Sequence, residues 1–310
     1  MEPMSDAPER PGGSALPARP FGSNLTAMVT PFTADGALDV GAAQALAAHL
    51  VDLGHVGLVV SGTTGESPTT TDAEKDSLLR AVLEAVGERA TIVAGVGTND
   101  TRHTVELAEQ AAKAGADGLL VVTPYYNKPP AAGLVAHFTG VADATDLPVM
   151  VYDIPGRTGV RIGTPVLRRI GEHPRVVAVK DATGDLFAGS EVMATTHLAY
   201  YCGDDALNLP WLALGASGLV SVVGHVAGGL HRRLIAAVDA GDLATARAIH
   251  IRLVPAVRGI MTRTQGAIMA KAALQLQGIL ARRTMRLPLP AADEDQVAVL
   301  RADLTEAGLL

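Results

Sequence analysis

One pattern limits the possible folds of this chain more than any other. Short apolar runs recur eight times, at residues 25–30, 57–60, 91–95, 118–122, 148–152, 176–179, 198–202 and 218–221. Most are unbroken rather than alternating, which is the mark of a strand covered on both faces, as in a parallel sheet. Between them lie segments with apolar residues at helical spacing. Helices are predicted over 40–53 (with Asp39 as N-cap), 72–86, 101–114 and 134–144. Thr164 and Pro165 open another in an N-cap and first-turn arrangement. A further helix follows Gly203-Asp-Asp205 as far as Leu214. Eight strand-then-helix units predict an α/β protein, a (β/α)8 TIM barrel. An open doubly wound sheet is the alternative, but it gathers its ligand at one switch point. Here polar, glycine-containing motifs follow nearly every run, as they would on the C-terminal rim of a barrel. The last stretch predicts helices at 243–257, 262–277 and 293–307. The expected layout is a flexible tail at 1–20, a barrel at 21–241 and a C-terminal helical domain at 242–310.

Composition narrows the function. The net charge is -7, which argues against a nucleic-acid partner. No run of 18 apolar residues exists to span a membrane. Residues 1–20 lack the apolar centre of a signal peptide. A single cysteine, Cys202, excludes an internal disulfide and fits a reducing compartment. A cytoplasmic protein is expected. Cys202 lies within a strand-like run and reads as a buried structural thiol.

The chain has five lysines, and only Lys180 ends a strand-like apolar run. Burial there disfavours the ammonium form, and a neutral amine attacks a ketone to form a Schiff base. The plainer reading is a strand-end lysine reaching out to water. Gly62-Thr-Thr-Gly65 follows the second run. Backbone N–H groups can converge there on a carboxylate or phosphate, with Thr63 and Thr64 adding hydroxyl donors. No Gly-Lys-Ser/Thr follows, so it is not a P-loop. The plainer reading is a tight turn. Glu66 lies near a predicted helix start and reads as structural. Tyr125, Tyr126 and Tyr152 lie at or just after two strand ends, where phenols can pass protons; singly, each would read as packing. Arg157, in a Pro-Gly-Arg-Thr-Gly turn, can clamp a carboxylate, although an arginine in such a turn is commonly just a surface residue.

The nine histidines show no metal-ligand spacing, so no metal or other cofactor is expected. His225 reads as a hydrogen-bonded rim residue, and Asp204-Asp205 as a helix cap. The residues alone describe carbon–carbon bond chemistry on a 2-oxo acid: an imine on the lysine, a nest for the carboxylate, and a hydroxyl relay for protons.

Gly62-Thr-Thr-Gly-Glu66, Thr123-Pro-Tyr-Tyr126, Tyr152-Asp-Ile-Pro-Gly-Arg-Thr-Gly159, Val179-Lys-Asp-Ala-Thr-Gly184 and Gly203-Asp-Asp205 resemble the dihydrodipicolinate synthase / N-acetylneuraminate lyase family in order and spacing. The resemblance runs over residues 23–310. The stretch from Tyr201 to Trp211 resembles the branch that condenses pyruvate with L-aspartate 4-semialdehyde. The resemblance implies Lys180 as Schiff-base nucleophile. It implies Tyr152, Thr63 and Tyr126 as a proton relay, with Tyr126 reaching into a neighbouring subunit of a homotetramer built as a dimer of dimers. Thr64 then holds the pyruvate carboxylate, Arg157 holds the semialdehyde carboxylate, and Gly203 and Val220 line the pyruvate pocket. Asp153 and Val220 depart from the common Asn and Ile. At positions matching the family's lysine feedback site, Ser67, Asn99 and Tyr125 are compatible. Lys75 and His103 stand where a histidine and a glutamate are usual, which predicts weak or absent inhibition by cationic lysine. Two alternatives remain at this stage. One is a pyruvate-dependent lyase acting on sugar aldehydes, which would have no use for Arg157. The other is a non-catalytic binder of 2-oxo acids.

Overall fold

The computed structural model describes residues 16–310. Its centre is a closed, all-parallel barrel in sequence order. The strands are β1 (Asn24–Ala27), β2 (Gly57–Val60), β3 (Thr91–Gly95), β4 (Gly118–Val122), β5 (Val149–Asp153), β6 (Val176–Asp181), β7 (Ala199–Cys202) and β8 (Gly218–Ser221). Around it run α1 (Val40–Asp52), α2 (Asp72–Val86), α3 (Thr101–Ala114), α4 (Ala131–Asp143), the single turn α5 (Pro155–Thr158), α6 (Thr164–Ile170), α7 (Leu186–Thr195), α8 (Asn208–Ala213) and α9 (Gly224–Asp239). Then come α10 (Leu243–Val257), α11 (Gly266–Leu276) and α12 (Glu294–Glu306). Among the described residues no helix is long and apolar enough to cross a membrane.

Two apolar layers follow from strand alternation. Leu25, Val59, Val93, Leu120, Met150, Ala178, Tyr201 and Val220 fill the barrel. Their neighbours Leu58, Ile92, Val121, Val151 and Val179 face the helices. Phe21 sits among the barrel-filling residues at the N-terminal end. Its ring stands edge-on to Tyr201 at 6.3 Å, and the Tyr201 hydroxyl donates to the Gly22 carbonyl at 2.9 Å. A Cβ on Gly118 would lie 2.4 Å from that ring, so glycine is needed there for close approach. Part of the segment read as a tail, residues 1–15, lies outside the described residues. Within 16–20, Arg19 pairs with Asp239 at 2.7 Å and donates to the Ser217 carbonyl.

Asp39 caps α1 as expected, accepting from Ala42 N. Thr164 is the first residue of α6 rather than its cap, which is Gly163. The helix expected from residue 262 begins instead at Gly266, after a π-helical stretch at Arg258–Thr262. Helix α9 has no counterpart among the expected helices. It opens Gly-His-Val-Ala-Gly-Gly, a poor helix sequence by propensity. Tertiary packing imposes it: Cβ atoms on Gly224 and Gly228 would lie 2.8 and 2.5 Å from the buried His55 ring. The two glycines form a seat for that histidine.

Candidate active site

A cavity of about 650 Å³ opens at the C-terminal ends of β2 to β5. Thr63, Tyr126, Tyr152 and Arg157 are among its walls. Behind its Tyr152 wall, Lys180 on β6 stands in register beside Tyr152 on β5, and both point into the barrel. The Lys180 Nζ lies 4.1 Å from the centre of the Tyr152 ring. The lysine is 5% exposed and the tyrosine 4%.

Burial sets the chemistry of both groups. Desolvation pushes the Lys180 amine down to about 8, with the Arg157 charge acting in the same direction and Asp205 and Cys202 opposing it. Roughly a tenth of such an amine is neutral at pH 7, against a few parts in ten thousand for an ordinary lysine. Desolvation also raises the Tyr152 phenol well above its usual range, partly offset by Arg157 and by a hydrogen bond with Thr63. A phenol of that kind stays protonated at neutral pH. It can pass a proton by donating one as it accepts another, without resting as a phenolate.

The turn after β2 is strained in an unexpected way. Its left-handed residues are Ser61 and Glu66, both at φ 55°, and not the glycines between them. Gly65 is needed for space, since its Cβ would come within 3.2 Å of the Met28 carbonyl and the Ser61 amide. Among the described residues, the N–H groups of Thr63 and Thr64 donate to no protein acceptor. That leaves them available to an anion. Glu66 is structural as expected, but not through a helix start. It is buried against Lys271 of α11, at 2.5 Å. The burial of Lys271 was hidden in an Ala-rich helical pattern.

The remaining residues singled out from sequence fall as follows. Gly203 packs against the lysine itself: a Cβ there would lie 3.0 Å from Lys180 Cγ and 3.1 Å from Cε. Val220 is fully buried on β8 in the barrel interior. Thr64 is buried beside Thr63. Arg157 is exposed on α5, whose turn Gly159 closes in the left-handed conformation. Tyr126 stands apart, 88% exposed at the cavity mouth with φ 70°. His225 is hydrogen-bonded, as read, to Val29 N and the Val222 carbonyl, but fully buried. Cys202 is buried and donates to the Asp204 carbonyl. Asp204 caps the turn after β7, whereas Asp205 is buried and reaches β8.

The chain as a whole resembles known proteins. The Dihydrodipicolinate synthetase family matches residues 20–307. The 4-hydroxy-tetrahydrodipicolinate synthase of Kineococcus radiotolerans is 68% identical over 296 residues, 96% of each chain. That of Acidothermus cellulolyticus is 62% identical over 295 residues, 95% of each. Among solved structures, the enzyme of Cyanidioschyzon merolae with lysine bound superposes with a TM-score of 0.92 at 41% identity. That match covers 94% of this chain and 100% of the other.

Proposed function

The chain belongs to the dihydrodipicolinate synthetase family, and from that premise we propose that it condenses pyruvate with L-aspartate 4-semialdehyde to 4-hydroxy-tetrahydrodipicolinate. The observation that carries this reading is the buried Lys180–Tyr152 pair, whose tyrosine lines the cavity. The neutral Lys180 amine attacks the pyruvate ketone, and loss of water leaves an imine. Removal of a methyl proton converts the imine to an enamine, whose carbon attacks the semialdehyde aldehyde. The semialdehyde amine then displaces Lys180 from the imine carbon, closing the ring and freeing the enzyme. Tyr152 and Thr63 move the protons, which their contact with each other supports. Thr64 and the free amides of the turn after β2 hold the pyruvate carboxylate. Gly203 and Val220 shape the pocket around the imine.

Arg157 takes the semialdehyde carboxylate. Its exposure at the cavity wall, outside the buried pair, supports that division of labour. Arg157→Ala is expected to raise KM for the semialdehyde roughly 10- to 100-fold, the scale of one or two lost charge-assisted hydrogen bonds. The pyruvate KM should change less than about threefold on the same scale. Steady-state kinetics with each substrate varied in turn decides this. The activity itself is tested by offering the semialdehyde and N-acetylmannosamine to the purified protein in parallel; turnover with the sugar alone would overturn the substrate assignment.

The exposed Tyr126 fits completion of the relay across a subunit boundary, in a homotetramer working in the cytoplasm. Inhibition by lysine is expected to be weak or absent. Asp72 supplies a carboxylate in the region of the feedback positions, but side chains of this chain already engage it. His103 Nε2 lies 2.9 Å from it and Lys75 Nζ 3.9 Å. Initial rates across a lysine titration check this, and potent inhibition at low-millimolar lysine would refute it.

A further inference from the structure

The turn after β7 carries a buried carboxylate that the reaction steps above do not use. Asp205 is 3% exposed. One of its oxygens accepts from Val222 N at 2.8 Å and Val223 N at 3.0 Å. The other accepts from Asn208 Nδ2 at 3.0 Å and from the Ser221 hydroxyl. Ser221 Oγ in turn accepts from Gly224 N at 2.7 Å. These bonds tie the last residue of β8 and the first turn of α9 to the end of β7. One tied segment touches the lysine, and the other shares the layer of its neighbour Tyr152. Gly203, two residues before Asp205, presses on the Lys180 side chain. Val220, one residue before Ser221, lies in the barrel-filling layer with Tyr152.

We propose that Asp205 is a positioning residue for Lys180: its carboxylate ties the turn that carries Gly203 to the end of β8 and so fixes the seat of the amine. The inference rests on the reading of Lys180 as the imine-forming lysine. The charged and titratable groups facing Lys180 are Tyr152 and Arg157, from β5 and the turn after it, and Cys202 and Asp205, from β7 and the turn after it. Those facing Asp205 are Lys180, Cys202, His225 and His231, the last at 3.9 Å. Asp205 is the group whose charge most favours the protonated lysine. Removing that charge while keeping the shape must therefore ease deprotonation.

The test uses pyruvate alone, with borohydride trapping of the imine on the intact protein followed by mass spectrometry across pH 6 to 10. For Asp205→Asn, the midpoint of the trapping rate is expected to move toward acid by roughly one pH unit. For Ser221→Ala, which loosens the clamp and leaves the charge, the rate is expected to fall about threefold to tenfold with the midpoint unmoved. A structural role alone would lower both rates without moving either midpoint, and that result overturns the proposal. If Asp205→Asn does not accumulate as folded protein, the Ser221→Ala arm decides, and a wild-type rate there overturns the clamp. No adduct in the wild type overturns the reading of Lys180 and this inference together. An adduct in the wild type with unchanged midpoints in both variants overturns this inference alone.

Discussion

Lys180→Met is expected to abolish the borohydride-trapped pyruvate adduct and to lower condensation by a factor on the order of 10⁴ or more. No other described lysine is expected to substitute. Lys271 is held by Glu66, Lys75 donates to the Thr70 carbonyl, Lys113 is exposed on a helix, and Lys128, which lines the cavity, is exposed on a loop rather than desolvated beside Tyr152. The variant should nonetheless fold. A lysine whose folded-state value is depressed from 10.5 to about 8 carries a desolvation penalty. That penalty is present in full below about pH 8, where the folded protein must protonate a buried amine, and disappears as pH rises through the unfolded value of 10.5. It amounts to about 3 kcal/mol. At pH 7 the methionine variant should melt no lower than wild type, and any advantage it has should shrink between pH 8 and 10.5. Thermal denaturation at several pH values, run beside the trapping assay, separates loss of chemistry from loss of fold. A surviving adduct would remove Lys180 from the mechanism.

Lys271→Met is expected to be the most damaging single change outside the cavity. Lys271 Nζ lies 2.5 Å from Glu66 Oε1, and both side chains are 1% exposed. The ammonium also donates to the Thr284 carbonyl at 2.8 Å and lies over the Phe32 ring. Glu66 Oε2 accepts from Arg286 N at 3.0 Å. Removing the lysine strands a buried carboxylate, at a cost of about 3–5 kcal/mol. For a chain of this size that lowers the melting temperature by roughly 5–15 °C. The double variant Glu66→Gln with Lys271→Met should recover most of the loss, because a neutral pair leaves no stranded charge. Glu66 is also the left-handed residue that ends the turn carrying Thr63 and Thr64. The single variant is therefore expected to raise the pyruvate KM as well. Differential scanning fluorimetry and pyruvate kinetics on the three proteins check both effects. A melting shift under about 2 °C would contradict the assigned burial.

Much of this molecule was legible in one dimension because its determinants are local. Strand and helix periods are written into neighbouring residues, so β2, β3, β4 and β8 and helices α2, α3 and α10 carry the expected boundaries. The family motifs are equally local, which is why Lys180, Tyr152 and Arg157 could be named before any fold was drawn. Elements failed where packing overrode propensity. Helix α9 begins with glycines because His55 needs the space, and His55 lies far away in the chain. Closure of the barrel decided the rest. It set Lys180 beside Tyr152, in register on neighbouring strands. It brought Lys271 to Glu66 across 205 residues. It aimed Asp205 at β8, although its sequence position suggested only a helix cap. A side chain's charge is encoded in the sequence, but its desolvation and its partners are set by residues that meet only when the barrel closes. Those two quantities separate a solvated lysine from one held near pH 8.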